Sequence, residues 1–391
     1  MSGRQVVVLL AALVAGCGTT VQGSPVAAPS LPTASPSQTV TVVTPPSSTS
    51  SAAASSTPAA PPPPPPPVAK FGNPNGTAAV PPEAAAEDTS KPTRVVGTGT
   101  PASCTSQAVV DAVAAGGVIT FSCGPDPLTI PMAATAKVRT SSGAKVVLDG
   151  GGRITLSGRG QRRVLYQNTC DKALGITTSH CQDQDAPKLV VQNITLADGN
   201  STGDETEGGG GGALFVRGGQ LKVVNSRFAG NKCDAGGPDL GGAAIRVLDQ
   251  FRDGPVHITG STFEGGVCAN GGALSSIGTS WVVLNSLMKG NKAVGRGANP
   301  ARAGTPGGGS GGAIYNDGNT FTLRLAGSLV EDNQANEGGG AVFFVSNDNS
   351  GSMSVEGSTL RRNPSLGFET IKGIFYLGAG GKPEVTASTI Q

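Results

Sequence analysis

The sequence predicts an all-β fold wound as a solenoid with three short strands per coil, and three observations carry that prediction. A strand-and-corner element, best seen at residues 221–228, returns down the second half of the chain. A Gly-Gly-Ala element returns out of phase with it, and insertions fall mainly between the same two landmarks. Self-similarity at a period of about 30 residues is the signature of stacked repeats.

With Ser226 as reference, seven copies of the first element align. Two residues after the reference stand Leu196, Phe228, Phe263, Met288, Val330, Leu360 and Ile390, and three before it Val191, Val223, Ile258, Val283, Leu325, Val355 and Val385. Every one is apolar. Positions −5 and −3 share a strand face, as do 0 and +2, but the step from −3 to 0 is odd, so a corner intervenes. The residue before the reference is Asn193, Asn225, Gly260, Asn285, Gly327, Gly357 or Ala387. Asn and Gly enter the left-handed backbone region at least cost, which lets the inward face continue round the bend.

Taken in order, the chain begins with a basic start at Arg4, an uncharged stretch over 5–13 and small residues before Cys17. That is a secretory signal, too short to span a bilayer as a mature helix. Residues 18–95 are rich in Pro, Ser, Thr and Ala, with proline throughout 61–67. Such a segment buries too little apolar surface to order itself and reads as a linker, with a reach between about 50 and 200 Å.

Residues 96–391 remain for one folded domain. Thr105 and Ser106 precede 107–115, which has Val109, Val110 and Val113 on one side and Gly116 at its end, so a short capped helix is predicted over the open end of the solenoid. Strands follow at 118–121, 145–149 and 153–157. The Gly-Gly-Ala elements start at Gly211, Gly241, Gly271, Gly311 and Gly339, each leading into a mostly apolar third strand. Three strands per coil with tight Gly and Asn corners make a right-handed parallel β-helix. The last copy, 385–390, leaves an edge for a loop or another chain to cover.

Six cysteines besides Cys17 form an even set in an exported chain, so disulfides are expected. Cys233 and Cys268 each stand seven residues after a reference serine, which places them one coil apart, about 4.8 Å, within disulfide range. Cys170 with Cys181 and Cys104 with Cys123 follow as local loops. His180 and Cys181 lack the spacing and number of a zinc site.

The Gly-Gly-Ala strands, the Asn-Ser-x-Phe element and the Gly-Asn-Lys runs at 230–232 and 290–292 resemble the repeats of polymorphic outer-membrane-protein-type β-helix proteins, within the wider pectate-lyase-like superfamily. The resemblance covers roughly 97–391 and implies a coil rather than a chemistry. Val14-Ala15-Gly16-Cys17 resembles a bacterial lipobox, which implies lipidation of Cys17 and attachment to the outer face of a membrane.

The net charge of +2 is spread along the chain, which argues against nucleic acid as a partner. A ligand site is expected among the insertions at 198–210, 234–240 and 294–310. Asp198, Asp204, Glu205 and Glu207 offer hard oxygens that could hold Ca²⁺, although no calcium-loop spacing is present and no cofactor is predicted. Asp234 and Asp239 are a candidate carboxylate pair for glycoside hydrolysis. His180 and His257 read as exposed structural residues, Arg246 and Arg324 as solvent-facing strand arginines. The asparagines at 231, 291, 333 and 363 read as a stacked amide ladder.

No catalytic set is legible, and one Trp and three Tyr make few sugar-stacking platforms. The predicted function is a lipid-anchored extracytoplasmic module for adhesion or for binding envelope or extracellular polysaccharide. The alternative is a polysaccharide lyase or glycoside hydrolase on the same coil. Convergence of two carboxylates, or of carboxylates with Arg or Lys, on the long-loop side separates the two.

Overall fold

A computed structural model of the chain describes residues 69–139, 142–175, 180–205 and 208–391. The predicted signal peptide, Cys17 and residues 18–68 of the predicted linker lie outside the described residues. From Arg94 onward the chain is a parallel β-helix. One sheet has ten strands, from Arg94–Val96 to Glu384–Thr386; a second has nine, from Leu128–Pro131 to Thr389–Ile390; a third has eight, from Ala136–Val138 to Ile374–Leu377. Strand pairing is parallel and in register: Val223 lies beside Ile258, Phe228 beside Phe263 and Val283 beside Leu325. A short fourth ladder, Val267–Cys268, Lys292–Ala293 and Gln334–Ala335, was not foreseen from the repeats.

The corner column behaves as its residue types require. All seven residues, Ala387 included, have positive φ, from 41° at Asn225 to 60° at Gly327. In the Gly-Gly-Ala element one position needs correction. Leu214 pairs with Ile245, so the counterpart of Gly211 is Gly242 rather than Gly241, and Gly242 has the positive φ of 75°. The two alanines that follow it left the register ambiguous in sequence. The next glycine is needed for a different reason: a Cβ on Gly312 would overlap the Gly340 carbonyl of the following coil.

Inside the coil, apolar columns form one continuous core, with Phe228 and Phe263 stacked at 4.9 Å. Two polar ladders run through it. From Ser261 to Ser388 each reference-serine Oγ accepts from the backbone N–H of the serine one coil earlier, at 3.1 Å from Ser226 to Ser261 and 3.0 Å from Ser328 to Ser358. The Asn291 side chain donates to Asn333 Oδ1 (2.8 Å), and Asn333 to Asn363 Oδ1 (2.9 Å). Buried amides are tolerated here because each finds its partners along the stack.

Helix Ser106–Ala115 has Thr105 as its cap, accepting from Ala108 N at 3.2 Å, and ends at Gly116 with φ 68°. Val109 and Val113 are buried in the core of the first coils. All three expected disulfides form. Cα separations are 5.7 Å for Cys104–Cys123, 4.9 Å for Cys170–Cys181 and 4.8 Å for Cys233–Cys268. They point to an oxidising, extracellular environment. No described helix is long and apolar enough to cross a membrane. At the far edge of the ten-stranded sheet Val385 is 42% exposed.

Residues 69–93, which composition assigns to the linker, instead lie on the coil. Phe71 N–H donates to Asn225 Oδ1 (2.9 Å), and Ala78 exchanges hydrogen bonds with the Asn285 amide at 2.8 Å each way. Ala84 packs on Leu284 and Ala326. Glu87 bridges Lys145 (2.5 Å) and Lys222 (2.6 Å). The corner asparagines therefore hold this strap as well as turning the chain. Gly72 permits the approach, since a Cβ there would come 2.5 Å from the Asn285 carbonyl oxygen. Composition misses the strap because its anchors are backbone groups, one carboxylate and the small side chain of Ala84 rather than a run of large apolar residues.

Candidate functional site

Period-two alternation sets the outer face of the third sheet. Leu214 and Val216 point into the core, so Phe215 points out, and its column continues through Arg246, Ser275, Tyr315, Phe343 and Phe375. Rings stack along it: Tyr315 on Phe343 at 5.0 Å and 2°, and Phe343 on Phe375 at 5.2 Å. Phe368 meets Phe375 edge-on at 4.8 Å. The neighbouring outward column contains Ile277, Asp317, Val345 and Leu377.

The insertion at 294–310 folds over this face. It doubles back through the bridge between Ala298 and Gly308, and Glu337 braces it by accepting from Gly297 N–H (2.8 Å) and pairing with Arg302 (2.6 Å). The insertion at 234–240 lies alongside, its carbonyls at Pro238 and Leu240 each 2.9 Å from Asn270 Nδ2. Between the loops and the aromatic column lies a cleft of about 660 Å³, within the usual size range of ligand sites.

At its polar end one side chain ties the elements together. Asn299 Nδ2 donates to Asp239 Oδ1 (2.5 Å) and Asp317 Oδ2 (2.9 Å) and lies 3.2 Å from the Tyr315 hydroxyl. Tyr315 donates to Asp317 Oδ2 at 3.0 Å, and Gly318 N–H and Asn347 Nδ2 donate to Oδ1 at 2.7 and 3.1 Å. Two carboxylates thus face each other across one nitrogen. Burial and the Asp317 charge raise the Asp239 carboxyl above its ordinary range, and burial and Asp317 likewise hold the Tyr315 hydroxyl protonated well above its own.

The other predicted residues lie elsewhere. Asp198 sits at a corner with φ 50° and accepts from Ser157 Oγ; Asp204 pairs with Arg163 at 2.7 Å; Asp234 accepts from Gly203 N–H at 3.0 Å. Glu205 is exposed, and Glu207 lies outside the described residues. Asp239 therefore meets Asp317, while Asp234 braces the first loop. Among the described residues no group of three or more Asp, Glu, His or Cys gathers as a metal site.

Arg246 does not face solvent. It is 3% exposed, donates to the Asp239 carbonyl oxygen at 2.5 Å, and burial pushes its pKa down to about 10. Arg324 pairs on the surface with Glu356 at 2.7 Å. His180 is exposed, whereas His257 is half-buried and its pKa is lowered by burial. His257 lines a second cleft of about 450 Å³ between the strap and the ten-stranded sheet, with Lys145, Lys188 and Lys222.

Sequence reasoning missed Asp317, Asn299 and Tyr315. Parity counted from Ile314 would have turned Tyr315 and Asp317 outward, but nothing in the sequence says that residue 299 folds back onto them. Comparison with protein-family models, with curated proteins and with solved structures gave no match to this chain.

Proposed function

We propose that this chain is an exported β-helix module that binds a polysaccharide in the cleft over its third sheet. On this reading it belongs with the pectate-lyase-like superfamily and is held at the cell surface by a lipid on Cys17. The observation that carries the proposal is the cleft itself: three phenyl rings on one side, and Asp239, Asn299 and Asn347 presenting hydrogen-bonding groups on the other. Sugars are bound by that combination, apolar faces on rings and hydroxyls on fixed polar groups. Low aromatic content argues against sugar platforms only on average, and here the rings are concentrated in one place.

The test is a glycan array with the full chain, repeated with Phe368→Ala, a half-buried ring at the cleft wall. Binding that the substitution abolishes supports the reading. Binding untouched by it, or no binding to any envelope or plant glycan, refutes it.

A second reading, a glycoside hydrolase, is favoured by the Asp239–Asp317 pair. Both carboxylates contact one nitrogen, which suits the separation of about 5–5.5 Å used in double displacement better than the wider spacing of inverting enzymes. A raised Asp239 has the character of a general acid. Release of reducing ends that disappears in Asp317→Asn would establish it; intact glycans after prolonged incubation would leave the binding module.

A further inference from the structure

The charge balance of the cleft narrows its occupant. Its lining includes two carboxylates, Asp239 and Asp317, and no Lys, Arg or His. Asp317 is only 9% exposed, yet all its hydrogen-bond donors are neutral: Tyr315, Asn299, Asn347 and the Gly318 amide. Arg246 acts on Asp239 through space, but its guanidinium is bonded to the Asp239 backbone oxygen rather than to a carboxylate. Two other carboxylates of these loops and their braces are paired with cations, Asp204 with Arg163 and Glu337 with Arg302. A carboxylate this buried is normally matched by a cation. Beside it stand Phe343 and Phe375, stacked on one another, and Phe368, which lies outside that stack and edge-on to Phe375; an open ring face attracts cations through its quadrupole.

We infer that the cleft selects a cationic sugar, a glycan residue with a free amine, whose ammonium sits on the exposed carboxylate of Asp239, within the field of Asp317 and beside Phe368. This rests on the polysaccharide reading above and names the substrate class of that site. A hard metal ion fits poorly. It needs six or more oxygen ligands, while the Asp317 oxygens are already engaged by four donors and one wall is hydrocarbon. An anionic sugar fits worse, because its carboxylate would enter beside two others. An ammonium answers both halves of the site, since it donates to the exposed Asp239 carboxylate, feels the Asp317 charge without displacing its donors, and lies beside the Phe368 ring.

Titration calorimetry on the full chain tests this with five probes: a tetrasaccharide of glucosamine, its fully N-acetylated counterpart, a tetragalacturonate, tetralysine and tetramethylammonium. The amine form is expected to bind about tenfold more tightly than the acetylated one, with a preference that shrinks as salt rises. Asp317→Asn should erase the preference while leaving the weaker binding of the acetylated form in place. Should Asp317→Asn fail to fold, Asp239→Asn at the exposed rim should reduce the same preference. Equal or tighter binding of the acetylated or uronate form overturns the inference and leaves the glycan reading standing. Tighter binding of tetralysine reassigns the cleft to a cationic peptide and overturns it too. If tetramethylammonium binds but no tetrasaccharide does, the cation site stands and the glycan reading falls; silence from all five probes overturns both.

Discussion

Replacing Asn333 with alanine removes a link from the buried amide ladder, and the structure fixes what is lost. Asn333 is fully buried. Its Oδ1 accepts from the Asn291 backbone N–H (2.9 Å) and from Asn291 Nδ2 (2.8 Å), and its Nδ2 donates to the Met288 carbonyl (3.0 Å). Asn363 Oδ1 keeps the Asn333 backbone donor, so its loss is partial. Two groups in the core, the Asn291 backbone N–H and the Met288 carbonyl, lose this partner, while Asn291 Nδ2 keeps the Phe263 carbonyl (3.0 Å). At about 1–3 kcal/mol for each such buried group, and with some relaxation, Asn333→Ala should cost about 2–5 kcal/mol. The single tryptophan provides the assay. Trp281 is fully buried on the coil that carries Asn291, with its Nε1 donating to Ser276 Oγ at 2.9 Å. Urea unfolding followed by Trp281 emission should show a midpoint well below that of the parent chain. A destabilisation below about 1 kcal/mol would mean that water replaces the amide, and the claim that the ladder is a buried, fully satisfied network would be wrong.

Two further outcomes are expected. Burial pushes the Glu87 carboxyl up, but hydrogen bonds from Lys145 and Lys222 outweigh that and hold it below its ordinary value of 4.5. A depressed carboxylate contributes stability above that ordinary value and loses it as pH falls through the folded one, so the strap should loosen only in acid. Hydrogen exchange across 69–93 should quicken there, and in Glu87→Gln it should already be faster at neutral pH; exchange indifferent to both would remove Glu87 as an anchor. Replacing Cys233 and Cys268 together by serine opens a link across 35 residues, with an expected loss of about 3–4 kcal/mol from greater freedom of the unfolded chain. Thermal unfolding of parent and variant checks this, and unchanged melting would show that strand pairing alone fixes that corner.

The strap shows how local reading fails. Its composition matches the linker before it, and what orders it is a row of side-chain amides at or beside the corners, 105 or more residues away, from Gln192 to Asn285. Sequence statistics describe the segment, whereas ordering depends on the surface it meets. Arg246 makes the same point: alternation turns it outward, as expected, but the insertions at 198–210 and 234–240 cover it.

By itself the sequence determined the coil: apolar columns, corners, polar ladders, the helix cap and the disulfide pairs. These are set by neighbours at a fixed period, so each copy repeats the information of the last. Tertiary structure alone decided the cleft. Asp239, Asn299 and Asp317 belong to different repeats and to insertions of unequal length, and no period relates them. Their meeting depends on where two loops land on the third sheet, which is a property of the packed molecule.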